Sequence, residues 1–104
     1  MDIVTGISGS SPAYAYMYIE GLINAGVKGG LSREAATILA AQSTLGAATM
    51  VLESGVDPVQ LRVNVCSPGG TTIEAVKVFE EEGFIDIIEK AAGASAAKSK
   101  SMTK

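Results

Sequence analysis

A chain of 104 residues, 47% of them hydrophobic and 18% charged, is the size of one small domain, and at that length a lone chain buries only about 60 to 70% of its unfolded surface. A net charge of −3 and a pI near 4.8 argue against a nucleic-acid partner, which needs Lys and Arg gathered on one face. One Cys and no His remove an internal disulfide, the Ser-His and Cys-His nucleophile pairs and every His-containing metal site. No metal is expected, and Cys66 reads as a small apolar residue ahead of a reactive thiol. The opening MDIVTG lacks the basic and apolar regions of a secretion signal, so a cytoplasmic protein is expected.

The first predicted element is a helix over SSPAYAYMYIEGLINAG, with Ser11 as N-cap, Pro12 at the first helical position and Gly26 as a left-handed stop. Tyr14 and Tyr18 lie one turn apart on it and read as core or interface packing with their hydroxyls at the edge, while Glu20 reads as exposed. After the turn VKGG, Ser32 caps a long helix, REAATILAAQSTLGAATMVLES, that stops at Gly55. Asp57 and Pro58 open a short third helix that must end before Pro68. A fourth runs from Thr72 to about Glu82 with Gly83 as its stop, and FIDIIEKAAGASAAKSK supplies a fifth. Residues 96–104, with Lys98, Lys100 and Lys104, read as a flexible tail. No stretch alternates with the period of a strand, so the expected fold class is all-α, a single helical bundle of about five helices over residues 1–104.

The second of these helices carries the most information about packing. From Ala35 to Leu52 it holds no charged residue, and apolar side chains point almost all round its axis. Such a helix needs cover on every side. Its length reaches the lower edge of a membrane span, but Gln42, Ser43, Thr44, Gly46 and Thr49 interrupt it and no polybasic flank orients it, so no membrane partner is expected. A second copy of the chain is the favoured cover, with Ala40, Ala41, Gly46, Ala47 and Ala48 letting another helix approach; a compact monomeric bundle is the alternative. The expectation is a homodimer of interlocked helices.

The segment CSPGGTTIEAV, residues 66–76, raises a question of its own. A capping box between Thr71 and Glu74 explains those two residues and leaves Gly69 and Gly70 unused. Glycines at a helix start let a ligand approach the main chain, and outward amides with the helix dipole favour an anion. From the residues alone, anion binding and a cap without a ligand stand level.

A resemblance covers nearly the whole chain. From VTGISGSSPAY through LRVNVCSPGGTTIEAVKVFEEEGF it resembles the C-terminal domain of the pyrroline-5-carboxylate reductases, with Ser11 where that family usually carries glycine. The resemblance implies a helical domain that dimerises by interlocking helices, with dimers assembling into larger rings, and a site shared with a dinucleotide-binding domain. It implies that pyrroline-5-carboxylate or proline rests its carboxylate on the amides of Gly70, Thr71 and Thr72, with Ser67 lining the same loop. The Thr72 hydroxyl would act as the catalytic group on the ring nitrogen, and Asn64 would lie near the substrate and the nicotinamide of NAD(P)H as a cofactor-binding residue.

A dinucleotide fold needs a strand, a G-x-G-x-x-G turn and a helix in a βαβ unit. Gly6 and Gly9 do not have that spacing, and no strand is expected to carry them. The chain alone is therefore expected to pair without reducing pyrroline-5-carboxylate. The contrasting reading is a purely structural oligomerisation module, indifferent to small cyclic carboxylates.

Overall fold

In a computed structural model that describes residues 2–102, every regular element is helical. A short α1, Asp2–Val4, runs into a π-helical turn, Thr5–Gly9, and then into α2, Ser11–Lys28; the others are α3, Arg33–Ser54, α4, Pro58–Asn64, α5, Thr71–Glu81, and α6, Phe84–Met102. The five helices expected from the sequence are α2 to α6. The chain divides into two compact units, residues 17–74 and residues 1–16 with 75–104.

The unit of residues 17–74 is built on a helical hairpin. Gly30 takes the left-handed conformation at φ 107, its amide donates to the Val27 carbonyl at 3.1 Å, and the Leu31 amide donates to the Gly26 carbonyl at 2.9 Å. Together these bonds are the Schellman stop of α2. The reversal therefore lies at Gly30 and not at Gly26. Gly26 has a packing duty instead: a Cβ there would stand 2.9 Å from Ala36 Cβ, so it is a notch that admits α3. On the far side of the turn the Ser32 hydroxyl accepts from the Ala35 amide at 3.1 Å and starts α3, which ends at left-handed Gly55. The core between the two helices is small. It comprises Ile23, Ala36 and Ala40, with Ile19 and Leu22 packed against them.

α4 begins as its sequence requires. Asp57 Oδ1 accepts from the Val59 amide at 2.8 Å and Pro58 takes the first turn, where its missing N–H is no loss.

In the other unit, α1 and the π-turn pack on α6. The approach is close at Gly6, where a Cβ would run into the Ala92 carbonyl. Tyr14 donates its hydroxyl to the Gly6 carbonyl at 2.9 Å, Ser10 and Ser95 share a 2.6 Å hydroxyl bond, and Ser99 donates to Asp2 at 3.0 Å. These bonds account for two corrections. Ser11 is not an N-cap, because the chain is already helical before it, with the Ser10 amide bonded to the Thr5 carbonyl. Residues 96–102, expected as a flexible tail, continue α6, since the alanines there favour helix and Ser99 is tied to Asp2; Lys104 lies outside the described residues. Phe79 and Phe84 close the α5–α6 corner with ring centroids 4.6 Å apart.

Candidate functional site

The residues expected at the site all lie in the unit of residues 17–74, on both sides of one loop. Asn64 is the last residue of α4, and Thr71 and Thr72 are the first two of α5. Between them the chain leaves α4 through the Val65 amide on the Arg62 carbonyl and the Cys66 amide on the Val63 carbonyl, then turns over Ser67–Gly70.

That turn explains the glycine pair. Pro68 fixes φ at the second position, Gly69 takes φ 74 at the third, and the Gly70 amide closes the turn on the Ser67 carbonyl at 2.9 Å. This is the pattern of a type II turn, which demands glycine or asparagine where Gly69 stands. Gly70 is constrained differently, since a Cβ on it would sit 3.1 Å from the Ser67 carbonyl oxygen.

One of the three expected binding amides is thereby withdrawn. The resemblance implies an outward N–H at Gly70, and in the structure that N–H is spent on the Ser67 carbonyl. The amides of Thr71 and Thr72 differ, because they stand in the first turn of an α-helix, where no intrahelical acceptor exists, and among the described residues no turn or loop bond involves them. Both threonines are exposed, as are Ser67 and Asn64. α5 begins at Thr71, which puts its cap position on Gly70. A capping box with Thr71 as the cap would need Thr71 outside the helix.

The Asn64 side chain is oriented locally: Gln60 donates from Nε2 to Asn64 Oδ1 at 2.8 Å, one turn earlier on α4. Gln60 is not among the residues expected at the site, although an i, i+4 pair of amides on one helix face is a signal the sequence carries.

α3 is the second feature that bears on function. Ala36 and Ala40 face inward, 3% and 5% exposed, so Ala40 is used within the chain and does not await a partner as expected. On the roughly opposite face Ile38, Leu45 and Leu52 recur every seven residues and are 56%, 62% and 84% exposed. By length and composition alone the helix could cross a membrane, with a mean hydropathy of 1.4.

These features define a class first: a helical domain whose longest apolar helix keeps one apolar face exposed, with a helix start at the end of a glycine turn. The family can then be named: residues 1–102 match the pyrroline-5-carboxylate reductase dimerisation family, and the chain belongs to it. Its relatives include the pyrroline-5-carboxylate reductase of Escherichia coli strain K12, 50% identical over 101 residues that span 97% of this chain and 38% of the relative. Human pyrroline-5-carboxylate reductase 2 is 48% identical over 102 residues, 98% of this chain and 32% of the relative. Among solved structures, the Plasmodium falciparum pyrroline carboxylate reductase with NADP bound superposes on the whole chain with a TM-score of 0.95 at 44% identity, over 42% of its own length. The Coxiella burnetii pyrroline-5-carboxylate reductase gives 0.94 at 41% identity, covering 99% of this chain and 38% of its own. The chain thus spans about a third to two-fifths of the relatives it matches.

Proposed function

We propose that the chain acts as the pairing and substrate-binding domain of a pyrroline-5-carboxylate reductase. The observation that carries the proposal is the pair of amides at Thr71 and Thr72, which stand at the start of an eleven-residue helix and have no turn or loop acceptor among the described residues. Two such N–H groups with the helix dipole behind them suit a carboxylate, and each charge-assisted bond contributes about 1.5 to 3 kcal/mol. Glu74 in the same turn opposes an anion, which favours a ligand whose ring nitrogen also carries positive charge. The Thr72 hydroxyl is the group assigned to that nitrogen, and Ser67 lines the loop.

Dinucleotide binding belongs elsewhere, since the described residues contain no strand on which a βαβ cradle could be built. Bound beside this domain, NAD(P)H would supply the hydride, and this chain's part is to place the imine carbon and polarise its nitrogen. Asn64 fits the cofactor side, because its amide NH₂ can donate to a carboxamide oxygen. Pairing would run through the exposed stripe of α3, giving a water-soluble, cytoplasmic homodimer, with rings of dimers above it. On this reading the isolated chain pairs and binds ligand but does not oxidise NADPH.

The direct test is titration of the ¹⁵N-labelled chain with L-proline. The Thr71 and Thr72 amide resonances should shift together and saturate, while that of Gly70, already bonded, moves less. Unchanged Thr71 and Thr72 resonances at millimolar proline would favour a purely structural module.

A further inference from the structure

The bond between Gln60 and Asn64 bears on what the end of α4 can offer a ligand. A carboxamide has an accepting edge and a donating edge, and an asparagine on an exposed helix end is free to present either. Here the choice is made one turn earlier: Gln60 Nε2 donates to Asn64 Oδ1 at 2.8 Å. The accepting edge of Asn64 is therefore turned back along α4, and the edge directed away from Gln60 is the NH₂.

We propose that Gln60 is a positioning residue that makes Asn64 a hydrogen-bond donor toward a carbonyl or carboxylate oxygen of a bound ligand. The inference rests on the binding reading given above and specifies which atom of Asn64 serves it. A substrate carboxylate and a nicotinamide carboxamide each carry such an oxygen, and the recognition chemistry at Asn64 would be the same for either. Both residues are exposed, so water competes for the bond and the orienting effect is that of one neutral hydrogen bond.

Gln60→Glu separates orientation from mere helix support. A carboxylate at position 60 can only accept, so it draws the Asn64 NH₂ back along the helix and turns Oδ1 outward, while Glu keeps the size and helix preference of Gln. The labelled chain and its Gln60→Glu and Gln60→Ala variants are titrated separately with L-proline and with nicotinamide mononucleotide, following the Asn64 side-chain NH₂ resonances. In the unsubstituted chain those resonances move with one of the two probes, and the probe that moves them identifies the source of the oxygen. In Gln60→Glu they are displaced before any ligand is added, and affinity for that probe falls by about three- to tenfold, the equivalent of one hydrogen bond. Gln60→Ala gives a smaller loss at unchanged thermal stability. If L-proline shifts Thr71 and Thr72 but Gln60→Glu binds both probes as the unsubstituted chain does, this inference alone is overturned. If Thr71 and Thr72 ignore L-proline, the binding reading fails and this inference with it.

Discussion

The Gly70 amide donates to the Ser67 carbonyl at 2.9 Å, and that bond separates the duties of two adjacent glycines. Gly69 supplies the left-handed residue of the turn at φ 74, where nothing within 4 Å would touch a Cβ. Gly70 is outside the left-handed region but has little room beside Ser67. Gly69→Ala should therefore cost about 1–2 kcal/mol in urea unfolding, the penalty of a left-handed Cβ. Gly69→Asn should recover part of that loss, and Gly70→Ala, which needs a shift of only a few tenths of an ångström, should cost less than Gly69→Ala.

The Thr72 side chain and main chain carry different parts of the proposed site. Thr72→Ala keeps the amide and removes the hydroxyl, so it should weaken L-proline by about two- to tenfold, the loss of one hydrogen bond. Thr71→Ala also keeps its amide, and its hydroxyl has no assigned role, so affinity should stay within about twofold of the parent. Calorimetric titration of the two variants checks this. Gly70→Val is a poor probe of binding, because its side chain would press on Ser67 and disturb the turn itself.

Gly6 marks a close approach of the π-turn to α6. An added methyl group meets the Ala92 main chain, which cannot swing aside as a side chain can. Gly6→Ala should lower stability by about 1–3 kcal/mol through overpacking, read by thermal unfolding. Gly93→Ala, in the interior of α6 with open space around it, should instead raise stability by about 0.5–1 kcal/mol through helix propensity.

The caps that sequence identified provide a calibration. Ser32→Ala and Asp57→Ala each remove one side-chain bond to a helix-start amide, and each should cost about 1 kcal/mol in urea unfolding.

Those caps were legible because all of their chemistry lies within a few residues. Ser32, Asp57 with Pro58, Gly55 and Gly83 carry their signals in sequence and act where they stand. Gly26, Ser11 and the segment after residue 96 were misread for a common reason: their conformations are set by distant partners. Gly26 is small to admit Ala36, Ser11 starts α2 directly after a π-turn that packs on α6 and is bonded through Ser10 to Ser95, and Ser99 reaches back to Asp2. At the candidate site the sequence marks a glycine turn before a helix start. Which amides remain free was not, because the Gly70 bond depends on the dihedral of Gly69. The Gln60–Asn64 bond needed a side-chain rotamer to become apparent.

The central claim is that α3 is completed by a second copy of the chain. Ile38, Leu45 and Leu52 lie exposed on the face away from Ala36 and Ala40, and repeats of seven residues keep such a stripe against a partner helix. Sedimentation equilibrium of the 104-residue chain at micromolar concentration tests this most directly. A dimer is expected, and Leu45→Lys should shift the equilibrium toward monomer with loss of helical stability. A helical, cooperatively folding monomer unaffected by Leu45→Lys would contradict it.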